Sequence, residues 1–412
     1  MKEDLDRLME ARDLDALLVS GAGGHNPALV YFTGVAHLTH ANLLKPRGRP
    51  PVLLHASMER DEAARTGLAL KDREAYDPVG LLRDAGGDRV EAAARLLARL
   101  LEEHGVHGRV GVCGRIDAGA ALAVLRRLEQ ILPAVQIVGE LEDDSAVTRA
   151  RATKSAEEVE RIRQMGKITT AVAGEVATYL TSHQAHRGVL VTREGTPLTI
   201  GEVKRRINLW LAMRGAENPE ATIFAIGSDA GVPHSVGNDG DRLEIGKPIV
   251  FDLFPCEAGG GYFYDFTRTW CLGHAPDALQ QIYQHVLEAY QQAVAALRPG
   301  APCREIQRST CELFAARGHP TLVEQPGGTQ GYVHSLGHGV GLAIHEAPWF
   351  NHLEINTDTL QPGAVFTIEP GLYYPARGMG VRLEDTLWLR PDGAAEVLAE
   401  FPMDLVLKVP GS

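Results

Sequence analysis

Two aspartates occur in a segment whose other residues favour buried β-strands. Asp252 and Asp265 lie within "IVFDLFPCEAGGGYFYDFTRTW", residues 249–270, where β-branched and aromatic residues flank a glycine-rich turn. This pattern predicts a hairpin-like pair of strands with both aspartates on one face. Two buried carboxylates repel each other unless a shared proton or a cation compensates their charge. The structural alternative leaves one aspartate exposed and pairs the other with Arg268.

Four histidines are candidates for the same site. His334, His338 and His345 lie in the glycine-rich segment "HSLGHGVGLAIHEAP", and His234 lies in "GVPHSVG", shortly before the strand of Asp252. Glycines on both sides of His338 allow close approach of the backbone, which a histidine that only packs in a core does not require. The proline before His234 favours a loop that can aim the imidazole at the site. A purely structural or solvent-exposed histidine is the alternative in each case.

Two glutamates lie in apolar, strand-like runs. Glu369 occurs in "FTIEPGLY" and Glu384 in "GVRLEDTLWL", which also contains Arg382. Ionised glutamate is rarely buried without a partner, so each glutamate alone indicates a salt bridge, with Arg382 as the nearest candidate.

Together, the carboxylates and one imidazole form a hard, oxygen-rich set of possible ligands. Such a set suits two divalent ions, whose chemistry includes making a nucleophile from water near neutral pH. Its hardness favours manganese and leaves cobalt, iron or zinc as alternatives.

Two domains are expected to position these residues, because 412 residues exceed what one hydrophobic core usually serves. Residues 1–150 alternate helix and strand patterns, and we predict strands at "DALLVS", "LVYFTGV", "PVLLHA" and "RVGVCG" in an α/β domain whose sheet is covered by helices. A capping box at Ser155 and Glu158 indicates a new helix near the start of a second domain, residues 151–412. Its hairpin-like strand pairs and long helices predict an α+β fold with a largely antiparallel sheet.

The composition argues against several classes of function. The net charge of −12, from 53 acidic and 41 basic residues, disfavours a nucleic-acid partner. The charged, amphipathic N-terminus does not resemble a secretory signal, and no apolar run reaches the length of a membrane span. The five scattered cysteines include no C-x-x-C pair and indicate reduced thiols, so we expect a cytoplasmic protein.

In chain order, the motifs P-H, D, D-x-T-R-T, G-H-G-x-G, H-E-x-P, E-P-G and R-x-E-D resemble those of a metallopeptidase family. This family includes methionine aminopeptidase, aminopeptidase P and Xaa-Pro dipeptidase, or prolidase. The resemblance implies an α+β pita-bread catalytic domain from about residue 155 onward. Asp13–Val19 and Tyr31–Gly34 resemble parts of the α/β N-terminal domain of the creatinase/prolidase type.

The resemblance also implies roles for individual residues. The implied ligands of two divalent metal ions are Asp252, Asp265, His338, Glu369 and Glu384. The implied catalytic residues are His234 and His345, which contact the substrate around the scissile carbonyl, Glu369, which acts as general base, and Arg382, which tunes the carboxylates. His334 and Arg377 are expected to bind the substrate, with Arg377 a candidate partner for the free carboxylate of a dipeptide.

The implied reaction is hydrolysis of the Xaa-Pro bond in small peptides with proline at the second position. We expect an Xaa-Pro dipeptidase; the alternatives are an aminopeptidase P that acts on longer peptides and a non-catalytic binding protein of the same fold. The family resemblance also implies a homodimer.

One departure from the family pattern is the spacing between Asp252 and Asp265, which is two positions longer than in better-known members. An even insertion keeps both side chains on the same face, so we expect both aspartates to remain ligands. The preference for substrate length is the property that we expect the insertion to affect most.

Overall fold

The computed structural model describes residues 4–412, which divide into two units. The first unit extends to Arg151 and also includes Gly259–Gly261, and the second unit contains Ala152–Ala258 and Tyr262–Ser412. None of the described helices combines the length and the apolar composition that crossing a membrane requires.

The first unit is built on one mixed sheet. Its helices are α1 (Leu5–Ala11), α2 (Pro27–Thr33), α3 (Arg60–Arg65), α4 (Pro78–Asp84), α5 (Arg89–Glu103), α6 (Ala118–Ile131) and α7 (Ala146–Arg151). Its strands are β1 (Ala16–Gly21), β2 (Ala41–Pro46), β3 (Val52–His55), β4 (Ala69–Asp72), β5 (Gly108–Cys113) and β6 (Val135–Gly139). The strand order is β4-β3-β2-β1-β5-β6, in which β2 pairs antiparallel with β1 and β3 and the other pairs are parallel.

Both faces of this sheet are buried. Along β1, Leu17 and Val19 belong to one apolar core, whereas Ala16 and Leu18 belong to another. The reason is that successive side chains of a strand point to opposite faces of the sheet. The prediction of an α/β domain with a covered sheet is therefore confirmed.

The segment "LVYFTGV" is mostly helical, and its prediction as a strand is wrong. Asn26 caps α2, because its side chain accepts a hydrogen bond from the backbone N–H of Leu29 at 3.4 Å, and Pro27 occupies the first turn. Gly34 adopts φ = 64° and ends the helix. Capping at both ends therefore outweighs the strand propensity of the residues between them.

The second unit contains helices and several smaller sheets. Its helices are α8 (Ala156–Thr181), α9 (Ile200–Ala212), α10 (Asp277–Ala296) and α11 (Cys303–Ala316). Its strands are β7 (Gln184–His186), β8 (Val189–Val191), β9 (Ala216–Glu217), β10 (Ile223–Ile226), β11 (Pro248–Leu253), β12 (Cys256–Glu257), β13 (Phe266–Leu272), β14 (Gly337–Gly339), β15 (Glu346–Phe350), β16 (Val365–Ile368), β17 (Gly371–Tyr374), β18 (Met379–Arg382), β19 (Asp385–Leu389), β20 (Ala395–Val397) and β21 (Val406–Leu407).

Antiparallel pairing dominates the second unit, as predicted. The larger sheets have the orders β10-β11-β13-β21 and β15-β14-β16-β19-β20, and three further sheets have two strands each. Of the strand pairs described there, only β13 with β21 is parallel. The long helices α10 and α11 cover the sheets with two apolar cores. These features confirm the α+β prediction.

The helix α8 begins at the predicted capping box. The Ser155 N–H donates to Glu158 Oε2 at 2.6 Å, and the Ser155 hydroxyl accepts from the Glu158 N–H at 3.3 Å. Val159, Ile162 and Met165 then form the buried side of the first turns.

Two consecutive strand pairs keep one register while the chain passes from one sheet to another. The pairing of β16 with β19 ends where Ile368 lies opposite Asp385, and the pairing of β17 with β18 continues in the same register. One residue beyond Ile368 is Glu369, and one residue before Asp385 is Glu384. The two glutamates therefore stand opposite each other, in the short breaks between the strands.

Candidate metal centre

Backbone pairing aligns three carboxylates in a row. Asp252 on β11 lies opposite Thr267 on β13, and Thr267 forms an isolated bridge with Glu384. Glu384 in turn stands opposite Glu369. Since neighbouring strands lie about 4.8 Å apart, residues from distant parts of the sequence become neighbours on one face.

Asp265 joins this row from the position just before β13. It lies two residues from Thr267, so side-chain alternation puts it on the same face as Asp252. The predicted pairing of the two aspartate segments is confirmed. Asp252 is 8% exposed and Asp265 is 5% exposed. Both are buried, so the alternative in which one of the two aspartates is exposed is wrong. Arg268 instead pairs with Asp385, at 2.8 Å.

The imidazole of His338 directs a lone pair at the carboxylates. Its Nδ1 lies 3.1 Å from the carbonyl oxygen of Gly339, which can only accept, so Nδ1 carries the proton. Nε2 lies 3.6 Å from Asp265 Oδ2 and 3.5 Å from Glu369 Oε1. Burial is the main reason that the pKa of His338 falls to about 3, so the ring stays neutral. A lone pair that faces two carboxylates is an arrangement that a bound cation stabilises.

Arg382 is the buried cation of the site, and its ion-pair partner is Asp252. Its Nη2 donates to Asp252 Oδ2 at 2.6 Å, its Nε to the Thr267 hydroxyl at 3.2 Å, and its Nη1 to the Tyr373 hydroxyl at 2.8 Å. The alternative in which Arg382 forms a salt bridge with either glutamate is therefore wrong. Arg382 compensates one negative charge, and within the described part of the chain no arginine or lysine forms an ion pair with the other carboxylates.

The remaining carboxylates resist ionisation in the absence of a cation. Burial, followed by the charges of neighbouring carboxylates, raises the pKa of Asp265 and of Glu384 well above their ordinary values. Burial also raises the pKa of Glu369 to about 8, against the opposing effect of Arg382. Protons or cations must therefore compensate this cluster.

Unsatisfied ligand atoms support cations as the compensating groups. Within the described chain, Asp252 Oδ1 and Glu384 Oε1 are buried without a hydrogen-bond partner. One ligand atom each from Asp265, His338 and Glu384 lie within 4.8 Å of one another. Carboxylate oxygens with one imidazole nitrogen fit hard divalent cations, so these residues pass the chemical test for a metal centre.

A cavity of about 420 Å³, which we call the site pocket, opens onto these groups. Every predicted site residue except Arg377 lines it: Asp252, Asp265, His338, Glu369, Glu384, His234, His334, His345 and Arg382. Its apolar wall includes Ile223, Phe254, Val236 and Ile344. The pocket therefore combines a polar base with an apolar wall.

The other histidines lie at different depths of the site pocket. His334 donates from Nδ1 to the Ser335 carbonyl oxygen at 2.7 Å, and its Nε2 accepts from the Tyr373 hydroxyl at 2.9 Å. Burial, aided by Arg382, lowers the pKa of His334 to about 3. The ring of His345 packs edge-on against His338 with centroids 4.3 Å apart, and His234 lies in a turn; both His345 and His234 are exposed.

Arg377 does not belong to the site pocket. It lies in the short 3-10 helix Pro375–Arg377, is exposed, and stacks over the ring of Tyr374 with 4.8 Å between its guanidinium carbon and the ring centroid. It lines a separate cavity. The structure therefore gives no contact that supports its predicted role as the partner of a substrate carboxylate.

Two residues that hold the site together were not predicted from the sequence. The Thr267 hydroxyl donates to Glu384 Oε2 at 2.6 Å, and the Tyr373 hydroxyl joins Arg382 to His334. Thr267 could have been found, because it lies two residues after Asp265 on the same predicted face. Tyr373 carried no such signal, since an apolar strand commonly contains a tyrosine for packing alone.

Comparison with known proteins assigns families to both parts of the chain. Residues 160–391 match the model of metallopeptidase family M24, and residues 2–152 match the creatinase/prolidase N-terminal domain. A curated relative, the Xaa-Pro dipeptidase of Pyrococcus furiosus, is 33% identical over 252 residues, which cover 61% of this chain and 64% of the relative. The match thus spans less than two thirds of that relative's length.

Solved structures share the fold over almost the whole chain. The prolidase from Pyrococcus horikoshii has a TM-score of 0.73 at 23% identity and covers 98% of this chain and 99% of its own. The X-Pro aminopeptidase from Thermotoga maritima has a TM-score of 0.74 at 23% identity and covers 98% and 100%. These similarities confirm the predicted pita-bread fold with its creatinase-type N-terminal domain.

Proposed function

Because the chain belongs to metallopeptidase family M24, we propose that it hydrolyses the Xaa-Pro bond of dipeptides. The observation that carries this proposal is the convergence, in one pocket, of four carboxylates with the Nε2 lone pair of His338. The activity named for the Pyrococcus furiosus relative supports the choice of substrate.

We assign the metal ligands to Asp252, Asp265, His338, Glu369 and Glu384. Membership of family M24 implies divalent metal ions, and we propose that two are bound. The excess of carboxylate oxygen over nitrogen supports manganese, with cobalt, iron and zinc as alternatives. When bound, such ions supply Lewis-acid polarisation of the scissile carbonyl and a more acidic water molecule.

Glu369 is the proposed proton carrier of the reaction. Its side chain is 17% exposed, compared with 6% for Asp265, so it is the more accessible carboxylate from the site pocket. It accepts a proton from the attacking water and delivers a proton to the proline nitrogen as the carbon–nitrogen bond breaks. The products are a free amino acid and proline, and Glu369 returns to its starting state.

His345 and His234 are proposed to bind the carbonyl region of the substrate. His345 is exposed to the solvent of the pocket, yet partial desolvation by the surrounding residues lowers its pKa, so its ring is neutral near pH 7 and retains one N–H donor. A donor directed at the carbonyl oxygen stabilises the negative charge that develops there in the transition state. His334 is held by Ser335 and Tyr373 and is proposed to form the wall against which the substrate lies.

The apolar wall of the pocket agrees with a prolyl substrate. The Xaa-Pro bond is a tertiary amide without an N–H group, and the ring of proline is apolar with a fixed φ angle. Ile223, Phe254 and Ile344 provide an apolar surface beside the carboxylates. A pocket of about 420 Å³ lies within the size range typical of small-molecule sites.

Hydrolysis of dipeptides is tested by comparing Ala-Pro and Leu-Pro with Ala-Pro-Ala and Ala-Ala. In protein loaded with manganese, we expect cleavage of both prolyl dipeptides, much slower cleavage of Ala-Ala, and loss of activity after chelation. Preferred cleavage of Ala-Pro-Ala would identify aminopeptidase P activity instead. No cleavage of any prolyl peptide by metal-loaded protein would favour the non-catalytic alternative and refute the proposal.

The ligand assignment is tested by D265N and E384Q, with D392N as the control. Asp265 and Glu384 are buried in the site, whereas Asp392 is an exposed residue that pairs with Arg390. We expect both site variants to lose bound metal and activity, and D392N to retain both. Wild-type metal content in D265N would refute the assignment.

We also propose that the protein is a cytoplasmic homodimer. All five cysteines are free and buried, which agrees with a reducing compartment. The homodimer rests on the family resemblance. Light scattering after size exclusion tests it, because a mass of 44.6 kDa corresponds to a monomer and twice this mass to a dimer.

A further inference from the structure

A second polar cavity lies in the same unit, apart from the site pocket. It has a volume of about 360 Å³, and we call it the basic cavity. Its polar lining includes Gln281, His285, Arg317, His319, Gln330 and Arg377. None of its lining residues is acidic, although the whole chain has more acidic than basic residues. Two arginines in a lining that contains no carboxylate are the chemistry of an anion site.

A chain of hydrogen bonds ends in this cavity. The Tyr374 hydroxyl lies 2.6 Å from His319 Nδ1, and His319 Nε2 lies 2.7 Å from His285 Nδ1. When the hydroxyl donates, His319 Nε2 donates to His285 Nδ1, and His285 keeps its proton on Nε2. His285 lines the cavity, and in this arrangement of protons its Nε2–H is a donor that a bound anion can use.

Arg317 and Arg377 both have N–H donors that are not used in ion pairs among the described residues. Among the described residues, Arg377 forms no ion pair, and its guanidinium stacks on Tyr374. Arg317 binds Glu288 through Nε and Nη2, at 3.0 Å and 2.6 Å, which leaves Nη1 outside that pair. Donors therefore reach the cavity from α10, from the segment after α11 and from the 3-10 helix that contains Arg377.

We propose that the basic cavity binds a small oxyanion of the phosphate type. A carboxylate has two oxygens, which one arginine can satisfy in a bidentate pair. Donors that approach from three elements suit an ion with three or four oxygens, and arginine is well suited to phosphate. The site is distinct from the site pocket, because side chains alternate along β17 and point Tyr373 and Tyr374 to opposite faces.

Calorimetric titration with inorganic phosphate tests the proposal, using metal-loaded protein freed of excess metal. The variants are R377Q and H285Q, and the control is R205Q, which changes an exposed arginine of α9. We expect wild type and R205Q to bind phosphate with a Kd on the order of 1 mM or tighter. In R377Q and H285Q, the Kd should rise at least tenfold.

Acetate at matched ionic strength and a phosphate-soaked crystal complete the test. We expect acetate to bind at least tenfold more weakly than phosphate, and we expect phosphate density between His285 and Arg377. Phosphate bound only at the metal centre would overturn the proposal, as would equal affinities in wild type and both variants. Binding of acetate as tight as that of phosphate would overturn the assigned class of ligand.

Discussion

At the scale of single residues, the site is defined by charge that the protein does not compensate by itself. Arg382 pairs with Asp252, while burial and neighbouring carboxylates keep the pKa of Asp265 and Glu384 high. Cation binding replaces the protons that these groups would otherwise hold. The residues that orient the carboxylates should therefore matter almost as much as the ligands.

Thr267 tests this orienting role. Its hydroxyl donates to Glu384 Oε2 at 2.6 Å and accepts from Arg382 Nε at 3.2 Å. We expect T267V to weaken metal affinity about 10- to 100-fold. Valine has nearly the same shape as threonine but no hydroxyl group, so the carboxylate of Glu384 loses this hydrogen bond and can rotate. Chelator-competition titration measures this change, and T267S should restore the affinity.

Thr269 provides the matched control for Thr267. It is buried on the same strand, and among the described residues its hydroxyl bonds only to the backbone of Arg382. T269V should therefore lose stability without a comparable loss of metal affinity. Equal metal affinities in T267V and wild type would show that Thr267 does not orient the ligand.

The stability of the metal-free protein should depend on pH in an unusual direction. The pKa of Glu369 rises from 4.5 to about 8 on folding, so between these values the folded protein holds a proton that the unfolded chain has released. The free energy of unfolding should therefore fall as pH rises, by at most about 1.4 kcal/mol per pH unit for each such carboxyl.

The informative window for this measurement is pH 6.5 to 8. Burial lowers the pKa of His334 and of His338 to about 3, so their opposite contribution to stability lies below pH 6.5. Urea unfolding in the presence of a chelator measures the slope, which should be smaller in E369Q. With metal bound, the slope should disappear or reverse, because protons then compete with metal. Rising stability with pH in the chelated protein would contradict the argument.

The choice of ion-pair partners shows what the sequence can and cannot predict for single residues. Arg268 is three positions from Asp265, so strand alternation alone puts the two side chains on opposite faces. The spacing of the two residues in the sequence is therefore sufficient to exclude an ion pair between Arg268 and Asp265. The partner of Arg382 could not be derived in this way, because Asp252 is 130 positions away and meets it only through sheet pairing.

At the scale of elements, strand register decides which distant residues meet. The motif glutamates were predicted inside strands, but Glu369 and Glu384 lie in the breaks between β16 and β17 and between β18 and β19. The sequence patterns predicted both apolar runs correctly. They could not predict the breaks between the strands, because these breaks occur where the chain passes from one sheet to another. In the segment after Asn26, by contrast, capping residues were visible and should have favoured a helix.

The reverse face of β13 should contribute strongly to stability. Arg268 is 1% exposed, pairs with Asp385, and donates to the carbonyl oxygens of Phe401 and Pro402. It thereby ties β13 to β19 and to the segment before β21. We expect R268M to lower the free energy of unfolding by about 3 to 5 kcal/mol, because the carboxylate of Asp385 loses its buried partner.

Chemical denaturation of metal-loaded protein measures the effect of R268M, with R317M as the control. Arg317 and Glu288 form an exposed pair, which water and salt screen, so R317M should lower the free energy of unfolding far less than R268M does. A loss in R268M no larger than that in R317M would refute the stabilising role of the buried pair.

At the scale of the whole molecule, the two units differ in what ligand binding can stabilise. All five proposed metal ligands belong to the second unit, which contains Ala152–Ala258 and Tyr262–Ser412. The first unit has its own two apolar cores around its six-stranded sheet. Its fold therefore rests on apolar packing, whereas part of the second unit's stability is expected to depend on metal.

Hydrogen exchange with and without metal tests this division. A ligand present at 100 times its Kd stabilises the state that binds it by about 2.7 kcal/mol, which slows exchange through unfolding of that state roughly 100-fold. We expect metal to slow exchange in Pro248–Leu253, Phe266–Leu272 and Asp385–Leu389, which carry or flank the ligands. Amides of Ala16–Gly21 and Gly108–Cys113, in the first unit, should change little. D265N provides the control, because added metal should leave its hydrogen exchange unchanged. Equal slowing of exchange in both units of the wild-type protein would contradict this division and show that the metal stabilises the whole molecule as one cooperative unit.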